Sequence, residues 1–399
     1  MSVTKKHLLG SVAASAVLAL SACAPSATEG GDGGAEGGVE TVEVGVITSE
    51  TGPLAIYGQA FLDGFDAGLD YATDGTGEVD GIKIEVRNGD DAADPDKAVQ
   101  LTKEYIGEGV KILTGTVSSG VALGMAEQAE QNQVLYVSGA AAADAITGIN
   151  GYTFRSGRQS LQDVATAGTF LEDIEGQKVV VYAQDNAFGQ GSADAVEALL
   201  GAEGAEVKQL LVAEDIKEFT SFSQQLKDQK PDLVFVAWAG ETTGSMWQSL
   251  SQQGVFDAAP VVTGLGDVAS YGAYGPVAER ISFLSHYFAD APDNDVNTAM
   301  VEAVEEAGSE VDLFTPDGFT AAQMIVHAIE EGQGDVDAMI AALEGHSFEA
   351  PKGEVTVREG DHALIQDMYQ ARLVKDGDSW KAELVETVPA DEVAPPEAG

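Results

Sequence analysis

A stretch of small and hydroxyl residues, Leu113 to Gly120, lies between an apolar run of strand type and a predicted helix that starts at Val121. Such a strand-to-helix turn presents free backbone N–H groups and serine hydroxyls at the positive end of a helix, which favours an anion. In an open α/β sheet these turns lie at the carboxyl ends of strands, where ligands bind. Ser118 and Ser119 therefore either hold a carboxylate or, in the simpler alternative, only cap the helix.

Motifs of enzymatic chemistry are missing from the sequence. Five histidines and one cysteine form no group with the spacing of zinc ligands. Neither the G-x-S-x-G turn of serine hydrolases nor a phosphate-binding P-loop is present. We therefore expect a protein that is not an enzyme and that needs no cofactor or metal.

Two segments could be mistaken for such motifs. Gly264 to Ala269 fits the dinucleotide pattern G-x-G-x-x-A after a strand, but Ser270 to Pro276 contains three Gly or Pro residues and makes a poor helix. An ordinary ligand loop is the better interpretation. Asp90 to Asp94 could bind a metal, but an exposed acidic turn ahead of a helix is expected in so acidic a chain.

Composition limits the class of protein and its partners. The chain has 399 residues, which favours two domains, and 44% of them are hydrophobic, enough for real cores. Asp and Glu number 66 against 20 Lys and Arg, for a net charge of −46. So negative a chain repels nucleic acid and anionic lipid headgroups, and we exclude both as partners.

The first 22 residues have the pattern of a secretory signal. Lys5 and Lys6 precede a short apolar run, and the segment ends in Leu20-Ser21-Ala22-Cys23, which resembles the lipobox of bacterial lipoproteins. The resemblance implies cleavage before Cys23 and lipidation of that residue. The alternative is an ordinary secreted protein in which Cys23 is coincidental. Residues 23–40 then form a flexible tether rich in Gly, Ala, Ser and Glu, and the proline-rich acidic residues 389–399 a disordered tail.

The body of the chain alternates strand and helix patterns twice. Apolar runs of strand type alternate with helical spacing from Val42 to Val137, and the pattern restarts after Arg158 and continues to Thr263. This predicts an α/β protein with two doubly wound, mostly parallel sheets. Later helices and strands indicate that the chain passes between the lobes again. The predicted segments are 41–157 and 286–354 for the first lobe, and 158–285 and 355–388 for the second.

These features together resemble the type 1 periplasmic binding fold, and most closely the leucine/isoleucine/valine-binding proteins of ABC importers. The resemblance runs from about Val42 to about Val385. It is carried by the order and spacing of motifs, which are Thr51-Gly52-Pro53 with Ile56-Tyr57-Gly58, Asp90-Asp91-Ala92-Ala93-Asp94-Pro95, Ser118-Ser119 and Asp185-Asn186-Ala187-Phe188-Gly189. It implies two lobes, three hinge strands near Arg155–Ser160, Ser285–Phe288 and Glu354–Val357, and a ligand in the cleft.

The resemblance also implies roles for individual residues of the first lobe. Tyr57 matches an aromatic residue that covers the ligand. Ser118 matches the hydroxyl that receives the α-carboxylate, with Ser119 beside it. Ala140 matches a backbone position that contacts the ligand.

Other matching positions depart from the family pattern. Ala142 and Phe188 fall where family members carry a Thr and a Tyr, so two hydroxyls are missing. Asp267 lies one position past the acid that receives the ammonium group. Trp238 and Phe319 lie near pocket positions, with packing in the core as the alternative for both. These departures favour a more apolar or differently charged ligand.

Two arginines near the predicted first hinge add to this expectation. Arg155 and Arg158 lie in a chain with few basic residues, and arginine is suited to bidentate binding of a carboxylate. The alternative is that each pairs with one of the many acids.

The sequence thus predicts a monomeric, lipid-anchored, extracytoplasmic receptor on the outer face of a bacterial membrane. It captures an amino acid or a related organic carboxylate, closes around it, and delivers it to an ABC permease. The alternatives are a sensory module that reports its ligand to a signalling partner, and a member of the same family that binds aromatic or aliphatic acids.

Overall fold

The computed structural model describes residues 40–171 and 174–398. Apart from Glu40, which begins the first strand, the predicted signal peptide, lipidated Cys23 and tether lie outside these residues.

Sixteen strands and eleven α-helices are present in the described part of the chain. The strands are β1 Glu40–Thr48, β2 Glu78–Val79, β3 Ile82–Asp90, β4 Ile112–Gly115, β5 Leu135–Ser138, β6 Thr153–Arg155, β7 Lys178–Gln184, β8 Glu206–Val212, β9 Leu233–Ala237, β10 Val261–Gly264, β11 Ile281–Ser285, β12 Ser347–Ala350, β13 Gly353–Val357, β14 Leu364–Ile365, β15 Met368–Asp376 and β16 Ser379–Val388. The helices are α1 Ala55–Ala72, α2 Pro95–Glu108, α3 Ser119–Asn132, α4 Ser160–Gly168, α5 Ala187–Val196, α6 Thr220–Asp228, α7 Thr243–Gln252, α8 Tyr271–Tyr274, α9 Asp295–Glu306, α10 Thr315–Gly332 and α11 Val336–Leu343.

The first lobe is built on a six-stranded sheet in the order β2-β3-β1-β4-β5-β6, parallel except for the short edge strand β2. Alternate residues of β1 face opposite sides, so Val44 and Val46 join one apolar core and Ile47 joins another. Helices α1, α10 and α11 cover one face, and α2 and α3 cover the other. Burial on both faces explains why these strands read as apolar runs.

The second lobe has a seven-stranded sheet in the order β16-β15-β11-β10-β9-β7-β8. Strands β7 to β11 are parallel, and β15 and β16 add antiparallel strands at one edge. Val180 and Tyr182 of β7 pack toward α6, α7 and α8, whereas Val179 and Val181 pack toward α4 and α5. The predicted class, two doubly wound α/β lobes with mainly parallel sheets, is confirmed.

The chain passes between the lobes three times, after Arg155, after Ser285 and after Ile365. The sequence put the third crossing at Glu354–Val357, and this was wrong. Those residues belong to β13, whose Val355 and Val357 enter the core of the first lobe through a small sheet of β12, β13 and β14. The second lobe resumes at β15, where Tyr369 joins its core.

Residues 389–398 also differ from the sequence prediction of a disordered tail. Val393 is buried beside Met368, and the Ala398 amide donates a hydrogen bond to Asp361 at 2.9 Å. Arg358 donates to the carbonyl oxygen of Pro395 at 2.7 Å. These contacts, which composition does not reveal, hold the segment against β15 of the second lobe and against Arg358 and Asp361 of the first.

Helix α2 shows how local sequence sets the start of an element. The Asp94 side chain accepts from the amides of Asp96 and Lys97, Pro95 occupies the first turn, and Gly109 ends the helix at a φ of 107°. None of the helices within the described ranges combines the length and apolar character needed to cross a membrane.

Candidate functional site

A cavity of about 660 Å³ lies between the two lobes at the carboxyl ends of their parallel strands. The first lobe lines it with residues that follow β1, β4, β5 and β6, and the second with residues that follow β7, β9, β10 and β11. This is where open α/β sheets bind ligands, because loops from neighbouring parallel strands converge there.

Ser118 lines the cavity with an unengaged hydroxyl. It is the residue before α3 in an extended conformation, yet its side chain makes no capping hydrogen bond. The Ser119 hydroxyl instead accepts from the Ala143 amide at 3.2 Å and so holds a neighbouring loop. The two serines, which the sequence treated alike, therefore differ. Ser118 is free to meet a ligand at the positive end of a 14-residue helix.

Asp91 fixes the turn that carries Ser118. Its carboxylate is buried and accepts from the Ser49 hydroxyl at 2.6 Å, from the Thr116 hydroxyl, and from the Ala93 amide at 2.7 Å. The sequence predicted an exposed acidic turn here, and for Asp91 that was wrong. Asp91 differs from the adjacent acids only because it contacts Ser49, which follows β1, and Thr116, which follows β4.

Aromatic side chains form much of the cavity wall. Tyr57, Phe188 and Trp238 line it where the sequence expected them. Phe314 packs edge-on against Tyr57 with ring centroids 5.1 Å apart, and Tyr274 also contributes; the sequence missed both. Trp238 stacks on Tyr182 at 5.3 Å, and its indole N–H donates to Thr242 at 2.9 Å, so it is both wall and core. This wall suits a flat or branched apolar body.

Arg158 lines the cavity as a nearly buried cation. Nη1 donates to the Ala140 carbonyl at 2.9 Å, and Nε lies 3.4 Å from an Asp163 carboxylate oxygen. Its guanidinium also lies over the Phe314 ring at 5.6 Å. Burial raises the pKa of Asp163, against the opposing effect of Arg158. Among the described residues, Nε of Arg158 and Oδ1 of Asp163 are buried without a hydrogen-bond partner.

Arg155 does not line the cavity. Its guanidinium is fully buried and donates to the carbonyls of Ala141, Ala143 and Arg158. Burial lowers its pKa to about 10. The hypothesis that Arg155 binds ligand is therefore replaced by a structural role in bracing the loop after β5.

Phe319 and Asp267 also lie outside the lining, whereas Ala140 and Ala142 lie within it. Phe319 is wholly buried in α10 and packs against Tyr71 at 5.2 Å, which is the core alternative. Asp267 accepts from the Ser270 amide at 2.9 Å and so begins a short turn. For Phe319, the sequence could not separate packing in the core from contact with a ligand, because both favour an apolar residue.

The two lobes also touch outside the cavity lining, beside the second crossing. Val268 of the second lobe donates its amide to both carboxylate oxygens of Asp312 in the first lobe, at 3.3 and 3.2 Å. Burial, together with the charge of Asp267, raises the pKa of Asp312 to about 6. Burial and the same Asp267 charge raise the pKa of Tyr57 well above its usual value.

A cluster of three buried polar side chains borders the cavity beside the crossings. Lys352 donates to Asp317 at 2.8 Å with both side chains fully buried, and His286 lies 3.8 Å from the same carboxylate. His286 donates from Nε2 to the Leu313 carbonyl at 2.7 Å, since a carbonyl can only accept. Burial lowers its pKa well below the usual value, so the ring is neutral. The sequence missed His286; its place directly after β11 was the available signal.

The loop at Gly264 to Ala269 does not open a long helix. Val268–Ser270 forms a single 3-10 turn, followed by the four-residue helix α8. Within residues 40–171 and 174–398, no group of three or more His, Cys, Asp or Glu side chains is arranged to hold a metal ion.

Known proteins with similar sequences or structures indicate the family of this chain. The periplasmic binding protein family model matches residues 41–378. The Leu/Ile/Val-binding protein BraC3 of Rhizobium johnstonii is 26% identical over 325 residues, which cover 80% of this chain and 88% of that protein. A solved ABC-type branched-chain amino acid transporter protein of Rhodopseudomonas palustris is 31% identical, with a TM-score of 0.74 over 89% of this chain and 99% of that one.

A second solved structure with the same fold contains a bound aromatic acid. It is an ABC transporter solute-binding protein of R. palustris in complex with 3,4-dihydroxybenzoic acid, 25% identical, with a TM-score of 0.77 over 88% of this chain and 98% of that one. The family resemblance expected from the sequence is confirmed, and the chain belongs to the periplasmic binding protein family.

Proposed function

We propose that this protein is the extracytoplasmic solute-binding component of an ABC importer and that it captures an amino acid or a related small carboxylate between its lobes. The observation that carries the proposal is the interlobe cavity with the unengaged Ser118 hydroxyl at the N-terminus of α3. Backbone N–H groups and a hydroxyl at that position stabilise a carboxylate without any further cation.

The relatives support this function and its range of ligands. BraC3 is named for leucine, isoleucine and valine, and the structures at 31% and 25% identity are ABC transporter proteins for branched-chain amino acids and for a dihydroxybenzoic acid. Every one of these ligands is a small carboxylate with an apolar or aromatic body. The aromatic wall of Tyr57, Phe188 and Trp238 suits that shared chemistry.

Lipid anchoring at Cys23 belongs to the same proposal. A family of periplasmic binding proteins works outside the cytoplasm, and the lipobox with its tether would keep this receptor close to a permease. The protein would act as a monomer, and its closed form would present both lobes to the transporter.

The test is a thermal-shift screen of the full set of proteinogenic amino acids together with benzoate, hydroxybenzoates and short aliphatic acids. A ligand that binds only the folded protein raises the unfolding midpoint. At least one carboxylate should do so, while its amide or methyl ester should not. A screen in which uncharged esters stabilise as well as the acids would contradict the carboxylate site.

A further inference from the structure

A buried acid lies in the lining of the cavity. Among the described residues, the acids of the lining are Asp163, Asp185, Glu214 and Glu241, and the last three are exposed to water. Asp163 differs from them, because only 8% of the residue is exposed. The acid that the sequence expected to receive an ammonium group, Asp267, lies outside the lining. The carboxylate that a buried ligand meets is therefore that of Asp163.

The protein leaves the hydrogen-bonding capacity of Asp163 largely unused. One carboxylate oxygen, Oδ2, lies 3.4 Å from Nε of Arg158. The other oxygen, Oδ1, is buried without a partner in the described part of the chain, and so is Nε itself. An arginine that only neutralises a carboxylate commonly forms two parallel hydrogen bonds with it, and this pair is looser than that. Burial raises the pKa of Asp163, as expected for a carboxylate with too few partners.

Asp163 belongs to the same wall of the cavity as the anion site at the start of α3. Its ion-pair partner, Arg158, donates to the carbonyl of Ala140 at 2.9 Å. The next residue, Ala141, donates its amide to the carbonyl of Thr116 at 3.2 Å, in the turn that leads into α3. Two hydrogen-bonded loops therefore join the buried carboxylate to the anion site, so one small ligand can contact both.

A carboxylate accepts hydrogen bonds and, when ionised, cannot donate them, so the ligand group that complements it is a donor. An ammonium group supplies N–H donors and an opposite charge. A hydroxyl group can donate to Oδ1 of Asp163 and accept from Nε of Arg158 at the same time. A ligand with neither group would close the cavity over a carboxylate that lacks hydrogen bonds, which costs free energy.

We propose that Asp163 binds the ligand as a hydrogen-bond acceptor, and that the cavity therefore selects small carboxylates that carry an N–H or O–H donor in addition to the carboxyl group. This inference rests on the proposed function, since it specifies which carboxylates the same cavity takes. The anion site at α3 receives the carboxylate, and Asp163 receives the donor.

Titration calorimetry on two series of ligands tests this selectivity. One series is L-leucine, 2-hydroxy-4-methylpentanoate and 4-methylpentanoate, and the other is L-phenylalanine, 3-phenyllactate and 3-phenylpropanoate. Each skeleton thus carries an ammonium group, a hydroxyl group or neither, and 4-hydroxybenzoate against benzoate adds a phenol. In at least one set a member with a donor should bind ten-fold or more tightly than the member without it, as expected for a hydrogen bond to a charged group. The tighter of the ammonium and hydroxyl members identifies the source of the donor.

The outcomes separate this inference from the proposed function. If the member without a donor binds as tightly as its relatives in every set that binds, the inference is overturned and the proposed function stands. A screen whose tightest ligand has no donor besides its carboxyl group has the same consequence. If no carboxylate binds at all, the proposed function fails and the inference falls with it.

Asp163→Asn tests the residue itself. The preference for the ligand with a donor should fall ten-fold or more, whereas Asp194→Asn, which removes the same charge from an exposed position on α5, should leave the ratio unchanged. A purely structural role of Asp163 would weaken both ligands equally and preserve their ratio. Because Asp163→Asn leaves Arg158 buried without its partner, the double variant Asp163→Asn with Arg158→Gln removes both charges and should show the same fall. An unchanged ratio in either folded variant would overturn the assignment.

Discussion

Arg158 donates a hydrogen bond from Nη1 to the carbonyl oxygen of Ala140 at 2.9 Å, joining the segments that follow β6 and β5. The contact links the first crossing between the lobes to the cavity wall. A change in the crossing therefore alters the ligand-facing loop directly. The pair also places a cation in the cavity lining, beside Asp163.

Ser118→Ala should weaken ligand binding while the fold stays intact. Loss of a hydrogen bond to a carboxylate costs roughly 1.5–3 kcal/mol, or about ten-fold to over a hundred-fold in affinity. Calorimetry with a carboxylate identified by the screen measures this. Ser221→Ala, at an exposed position on α6, is the matched control. Full affinity in Ser118→Ala would remove the basis for an anion site at α3.

Lys352→Met should strongly destabilise the protein, because it leaves the Asp317 carboxylate buried beside a neutral histidine. Removal of one partner from a buried ion pair costs about 3–5 kcal/mol. Urea unfolding followed by circular dichroism gives the free energy of unfolding. Lys83→Met breaks the exposed pair with Glu85 and should change stability little. Equal effects of the two substitutions would show that the buried pair has no special role.

Asp312→Asn should change how stability depends on pH. The folded pKa of about 6 lies above the usual carboxyl value, so the folded protein binds this proton more tightly than the unfolded chain. The stability gained from protonation is full below pH 4 and is lost as the pH rises through 6. Because asparagine does not titrate, the variant lacks this loss. The free energy of unfolding of the variant minus that of wild type should therefore rise by on the order of 1–2 kcal/mol from pH 4 to 7.

Urea titrations at several pH values measure that difference. Asp337→Asn, which removes the same charge from an exposed position on α11, controls for the change in net charge. A constant gap between Asp312→Asn and wild type across this range would contradict the role given to Asp312.

Ligand binding should make the protein more compact. The lobes already touch beside the second crossing, through the contact between Val268 and Asp312. Hinge motion at the three crossings would separate them in the ligand-free protein. Small-angle scattering should show a smaller radius of gyration at ligand saturation, and an identical radius in both states would argue against closure.

Cys23→Ala should release the protein from membranes. Since the lipobox resemblance assigns the lipid to Cys23, wild type expressed in a bacterium should enter the detergent phase on phase partitioning and the variant the aqueous phase. Wild type found in the aqueous phase would contradict lipid anchoring and support an ordinary secreted protein.

The sequence by itself determined the fold class. Burial of both faces of a parallel sheet produces apolar runs that alternate with helical spacing, and that local pattern is readable in β7 with α5 as clearly as in β4 with α3. It also pointed to Ser118, because strand-to-helix turns lie at the carboxyl ends of parallel strands, where ligands bind. Tyr57, Phe188 and Trp238 came from the family resemblance, and Arg158 from its place at the predicted first hinge. All five line the cavity.

Tertiary structure alone decided which similar residues have different roles. Arg155 and Arg158 are three positions apart and read alike, yet one braces backbone carbonyls and the other lines the cavity. Val355 and Val357 fit either a crossing or a core hairpin until β12 pairs with β13. In each case the outcome depends on partners distant in sequence, whose positions are fixed only when the sheets and crossings assemble.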